Sequence, residues 1–181
     1  KTLDILFPSL SEQQKIADFL SKVDDKIEKL TKKKELLEQY KKGVMQKIFS
    51  QELRFKDDNG NDFPEWEEKE LGELCEFING KAHENVIDNE GSYIVINSKF
   101  IASNGTIYKK SYKNLSPVQK GSLTLVMSDV PRGKALGKCY LILDENKFTL
   151  NQRICELRFD KDDSKFLFYI INRNNHFLSF D

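Results

Sequence analysis

The chain has 181 residues, with 29 basic and 29 acidic side chains and a formal net charge of zero. That length accommodates one ordinary domain plus an extended element but not two full domains, and the balanced charge excludes a nucleic-acid surface spread over the whole molecule, leaving only a local patch. Three cysteines, Cys75, Cys139 and Cys155, without a C-x-x-C pair exclude a disulfide scaffold or zinc finger and read as buried thiols in a reducing cytosol, and neither a membrane-spanning apolar run nor a signal peptide is visible.

The opening "KTLDILFPSL" predicts a short strand that turns into a helix at Pro8. Ser9 with Glu12, or Ser11 with Gln14, fits a capping box. The predicted helix fills residues 9–52. Within it Ile16, Val23, Leu30, Leu37 and Val44 fall seven apart, while Leu20, Ile27, Lys34, Lys41 and Ile48 fill the alternate seam positions. A four-three repeat sustained this long is a coiled-coil signature. At 1.5 Å per residue such a helix spans roughly 60 Å, longer than a domain of ~120 residues is wide. A narrow stripe on so long a rod suits a partner helix better than a sheet of the same chain. Lysines at two successive seam positions weaken the seam but can set register.

Residues 53–64 read as a connector, with the turn-rich "DDNGND" and Pro64. Trp66 and Leu71 start a new apolar core. "GSYIVINSKFI", "GSLTLVMSDV" and "NQRICELRF" are predicted strands, and "GKCYLILDENKFTL" a hairpin turning at "DEN". "DDSKFLFYIINRNNHFLSF" has helical spacing, capped at Asp163 or Ser164, with Phe166, Leu167, Ile170 and Ile171 facing inward. The fold class is α+β: a long coiled-coil-forming helix followed by a β-rich domain over residues 65–181.

Catalytic patterns are weak. There is no phosphate-binding glycine loop and no nucleophile elbow, and His83 and His176 are far apart with no metal-ligand neighbour at the right spacing. Asp129 followed by Glu145 and Lys147 is the skeleton of a metal-dependent nuclease, but the last two lie in a charged turn. What remains is a set of polar and basic residues near strand ends: Asn97 and Lys99; Lys109 and Lys110, interleaved with Tyr108 and Tyr112; Arg132 and Lys134 in a Pro- and Gly-bracketed loop; and Gln152 and Arg153 after Asn151. Lysine and arginine neutralise phosphates, and arginine, asparagine and glutamine make bidentate contacts to base edges. The same residues also suit solvated loops, and a coiled-coil adaptor with a protein-binding β-rich domain is the competing reading. The two differ in whether Lys99, Arg132, Lys134 and Arg153 share one concave surface. Trp66, Phe77 and Phe100 read as core rather than as base-stacking platforms.

The stretch "PSLSEQQKIADFLSKVDDKIEKLTKKKELLEQYKKGVMQKIFSQELRF", followed by "FPEWEEKELGEL", resembles the central region of type I restriction–modification specificity subunits, in which "LPxLxEQxKIAxFL" opens a long helix and a "W…LGEL" segment opens a target recognition domain. "INSKFI", "MSDVPRGKALGKCYLI" and "LNQRICEL" resemble the body of such a domain. The resemblance implies that residues 1–8 are the closing strand of a preceding recognition domain, that the helix sets the spacing between two DNA half-sites and docks methyltransferase subunits, and that the domain reads one half of a bipartite double-stranded DNA target. It implies a non-catalytic cytoplasmic subunit. S-adenosylmethionine, ATP and Mg are then expected only on the methyltransferase and restriction subunits, with no cofactor on this chain. Complete members carry two recognition domains and two helices that pair antiparallel. This chain, with one of each and an incomplete last domain, is expected to form a homodimer through Ile16, Leu20, Val23, Ile27, Leu30, Leu37, Val44 and Ile48.

Overall fold

Apolar side chains every three and four residues, with Lys and Glu between them and no proline or β-branched run, favour a helix throughout, and α1 runs unbroken over Leu10–Phe49, 40 residues. The computed structural model describes residues 3–128, 135–160 and 163–172. Ser9 caps α1 from an extended conformation, and its carbonyl accepts from the backbone N–H groups of Glu12 and Gln13. The helix therefore starts ahead of Ser11. Neither capping box forms: the Ser9 hydroxyl lies 3.3 Å from that of Ser11, and the Gln13 side-chain amide reaches back to the Pro8 carbonyl at 2.7 Å. No residue of α1 is buried. The expected strand over residues 1–8 is absent among the described residues 3–8. A strand exists only through its ladder to a neighbour, and no described segment pairs with this one.

After α1 the connector closes on itself. Lys56 bridges Asp62, and the Asp57 carboxylate accepts from the backbone N–H groups of Asn59 and Asn61, which hold it below the usual carboxylate range. The Arg54 guanidinium binds Glu65 at 3.0 Å and donates to the carbonyls of Phe63 and Pro64. Backbone contacts divide the chain after this point, into Lys1–Glu65 and Trp66–Asp181.

The second unit is built on two sheets. α2 (Leu71–Leu74) leads into β1 (Cys75–Asn79). β2 (Tyr93–Ile96), α3 (Ser98–Ala102), β3 (Lys109–Ser111), β4 (Leu123–Val126), β5 (Cys139–Leu141), β6 (Phe148–Leu150), β7 (Ile154–Phe159) and α4 (Ser164–Ile171) come after it. One sheet has the order β1-β7-β4-β5, antiparallel throughout. The other has the order β3-β2-β6, with β2 antiparallel to β3 and parallel to β6.

The period-two alternation of a strand sorts the central strands β4 and β7 onto two cores. Leu123, Leu125, Cys155 and Leu157 pack with Cys139 and with Leu167 and Ile171 of α4. Val126 and Ile154, from the opposite face, join Ile96, Phe100, Ile142, Phe148 and Leu150. That second core ties the two sheets together. Its centre is a ring cluster in which Phe100 meets Tyr140 and Phe148 edge-on at centroid distances of 4.8 and 5.8 Å, the geometry aromatic quadrupoles prefer. Both faces of β4 are covered, so Thr124 between the two leucines is buried as well, its hydroxyl donating to the Tyr140 carbonyl.

Four expectations change. "GKCYLILDENKFTL" is not a hairpin: β5 pairs with β4, while β6 pairs with β2 in the other sheet, so the turn at Asp144–Lys147 carries the chain between sheets. "GSYIVINSKFI" is a strand only to Ile96 and then becomes α3. Phe166, expected inward, is exposed, whereas Leu167 and Ile171 are buried. Ile170 is half-buried and packs against the same core. Asp163 is its cap, accepting from the N–H groups of Lys165 and Phe166 at 2.8 and 2.9 Å. Phe100 is core as expected, but Trp66 and Phe77 are exposed. Trp66 lies ahead of α2 and meets the ring edge of Phe166 at 6.3 Å, and Phe77 stands on the edge strand β1. Among the described residues no helix is long and apolar enough to cross a membrane.

Candidate nucleic-acid interface

A glycine begins the site. Gly80, just past β1, lies so close to the carbonyl of Asn151 that a Cβ there would sit 2.1 Å from its oxygen. Only glycine allows that approach. The contact lets Lys81 bridge Asn151 and donate its N–H to Leu150 at 2.9 Å. On the other side Asn151 donates its N–H to Ile96, at the end of β2, at 3.0 Å. The ends of β1, β2 and β6 thus converge on one place.

His83 fastens the next segment. It is buried, with Nδ1 2.7 Å from the Lys81 carbonyl and Nε2 2.7 Å from the Thr149 hydroxyl. A carbonyl can only accept, so Nδ1 donates; in the neutral ring Nε2 then accepts from the hydroxyl. Thr149 Oγ1 also accepts from the Ser116 N–H at 3.2 Å. This relay satisfies buried polar groups that would otherwise be costly, and it fixes the single 3-10 turn over Glu84–Val86 against β6.

Between these elements lies a polar cleft of about 360 Å³ lined by His83, Glu84, Ile87, Val95, Asn97, Lys109 and Asn151. Asn97 comes from the N-cap of α3, where its Oδ1 accepts from the Phe100 N–H at 2.9 Å. Its acceptor is engaged, and its amide N–H groups remain as donors. Lys109 starts β3, the edge strand opposite Val95, and is exposed. Gln152 sits at the rim, donating from Nε2 to Glu84 Oε1 at 3.2 Å. Of the residues singled out from sequence, the fold therefore gathers Asn97, Lys109 and Gln152. Lys110 points to the other face of β3 by strand alternation and is half-buried. Lys99 in α3 and Arg153 after Gln152 are exposed and are not among the residues that line the cleft. Arg132, Lys134, Asp129 and His176 lie outside the described residues. Glu145 is exposed, and Lys147 pairs with Asp144 at 3.0 Å, a solvated turn.

Sequence reasoning weighed His83 only as a metal ligand, passed over Glu84, and counted Asn151 among the residue types suited to DNA without choosing it as a site residue. Only Gly80 hinted at the close approach, since a glycine at a strand end often marks one. The cleft is not uniformly basic. Glu84 repels phosphate, while the polar edges of Asn97, Asn151, Gln152 and Lys109 offer hydrogen bonds.

The coiled-coil seam belongs to the first unit. Ile16, Leu20, Val23, Ile27, Leu30 and Leu37 are all exposed, and Val44 and Ile48 are half-buried. Leu30 and Leu37 line a shallow apolar depression with Lys33, Lys34, Glu38 and Lys41 along it. The Lys34 ammonium reaches Glu38 one turn on, at 4.0 Å.

A family model described as the type I restriction modification DNA specificity domain matches residues 1–39 and 64–180. The type I restriction enzyme MjaVIII specificity subunit of Methanocaldococcus jannaschii is 28% identical over 188 aligned positions, which cover 94% of this chain and 44% of that protein. Among solved structures, a chain from work on complex assembly and conformational transition of the type I R-M system matches with a TM-score of 0.54 at 17% identity, over 95% of this chain and 42% of its own. The HsdS subunit from Thermoanaerobacter tengcongensis matches with a TM-score of 0.53 at 17% identity, over 91% and 41%. At such identities the likeness to the two solved structures is one of fold: a long helix followed by a β-rich body. The chain spans less than half the length of each of these relatives.

Proposed function

We propose that this chain, which belongs to the type I restriction modification DNA specificity family, reads one half of a bipartite duplex DNA target with its β-rich unit, while α1 sets the distance between half-sites and docks methyltransferase subunits. The observation that carries the reading is the cleft: Asn97, Lys109, Asn151 and Gln152 come from three separate segments of the chain and gather around one opening. Amides and a lysine around one opening suit base edges and phosphates together. The chain itself does no chemistry and holds no cofactor; S-adenosylmethionine, ATP and Mg serve the methyltransferase and restriction subunits, in the cytoplasm.

The exposed seam of α1 supports a second part of the proposal. An apolar stripe from Ile16 to Leu37 left open to water is stabilised by a partner helix, and a second copy of the chain, antiparallel, supplies one. The exposed Trp66, Phe77 and Phe166 favour a competing reading in which the β-rich unit binds protein. One experiment separates the two. The purified chain is mixed with type I methyltransferase subunits, S-adenosylmethionine and randomised duplex DNA, and the methylated molecules are sequenced. Recovery of a split motif, symmetric where two copies pair, is the expected result. Failure to bind methyltransferase, with no sequence preference in the DNA, would leave the protein-binding reading in place.

A further inference from the structure

Gln152 is held on two sides. Its own N–H donates to the Asn151 side chain at 3.0 Å, and the Asn151 backbone is locked by the Gly80 approach, the Lys81 bridge and the Ile154 N–H on its carbonyl. Its side-chain Nε2 donates to Glu84 across 68 residues of chain, and Glu84 stands on the turn that His83 fixes to Thr149. Both side chains are exposed, so this pair is not part of any core.

The pairing has a chemical consequence. A carboxylate only accepts, so Glu84 selects the amide orientation in which Nε2 faces it and prevents the flipped one. One N–H is then engaged, and Gln152 presents its second N–H beside Oε1: one donor next to one acceptor. In the major groove adenine offers the matching edge, an N6 donor beside the N7 acceptor. Guanine offers two acceptors, cytosine one donor, and thymine one acceptor with a methyl group.

We infer that Gln152 is a specificity-determining residue that reads an adenine in duplex DNA, and that Glu84 is a positioning residue that orients its amide. The inference rests on the DNA-reading function proposed above and goes further by naming the base and the reader. The test is site selection on randomised duplex DNA by the chain assembled with methyltransferase subunits, for wild type, Gln152→Ala, Glu84→Gln and Gln152→Glu, with thermal melting of each as a check on folding. The wild-type motif should hold one adenine column that loses about tenfold to a hundredfold of its preference in Gln152→Ala. Glu84→Gln should relax the same column partly, because a glutamine at that position tolerates both amide orientations. Gln152→Glu, now acceptor only, should move the column toward cytosine, whose N4 is a donor. A role in folding alone moves melting temperatures and leaves the column in place. A wild-type motif left unchanged by all three variants overturns this inference while leaving the DNA-reading function standing; absence of any wild-type motif overturns both.

Discussion

Lys109 stands at the mouth of the cleft on an edge strand, exposed to solvent. It suits a phosphate contact, and Lys109→Ala is expected to weaken duplex binding alike for all sequences and to lower the slope of log affinity against log salt by about one. Binding titrations at several salt concentrations measure this, and a change in sequence preference without a change in slope would move Lys109 to the base-reading group. Asn97 shows how one residue serves twice. Its oxygen caps α3 and the residue lines the cleft, so a variant there disturbs the helix, a cap contributing about 1 kcal/mol, as well as any DNA contact. Residue types were legible in the sequence, but their company was not. Lys99 has the same chemistry as Lys109, and Arg153 directly follows Gln152, yet neither lines the cleft. His83 looked idle because its partners, the Lys81 carbonyl and Thr149, include one 66 residues away.

Periodicity did most of its service at the scale of the element. The seven-residue repeat marked α1 almost to its ends because a helix is a local structure, built from bonds four residues apart. Its exposed leucines argue for a partner: burying one such side chain contributes about 1.5–3 kcal/mol. Leu30→Lys combined with Leu37→Lys is therefore expected to weaken self-association by well over tenfold. In an isolated chain both residues are 57% exposed, so helix content by circular dichroism should hold. Sedimentation velocity over a range of concentrations reads the first quantity; equal association of variant and wild type would remove the seam from the interface. The strands were legible as strands, β4 and β7 above all, but their partners were not. β5 and β6 are consecutive, with a charged turn between them, and yet lie in different sheets. Alternation records which faces are buried; it carries no record of which neighbour supplies the hydrogen bonds.

The whole molecule couples its core to pH through two thiols. Burial pushes the Cys155 thiol up from 9.0 to about 12, and raises Cys139 further still. Below pH 9 both folded and unfolded chains keep these protons, and the contribution to stability is complete. Between pH 9 and 12 the unfolded chain releases them first, so stability falls as pH rises, by at most about 1.4 kcal/mol per pH unit for each thiol. Denaturant midpoints measured from pH 8 to pH 11 should fall more steeply for wild type than for Cys155→Ala; parallel curves would show that Cys155 ionises without unfolding. The sequence by itself determined the long helix, the β-rich character of the unit after it, and through the residues around "LSEQQKIADFL" and "LGEL" the family, because each of these is written in neighbouring residues. Only the tertiary structure decided which polar residues meet: it placed Gly80 against Asn151, Glu84 beside Gln152 and His83 on Thr149. Those contacts join segments roughly 70 residues apart, and contacts between distant segments come from packing two sheets on shared cores, which no local pattern encodes.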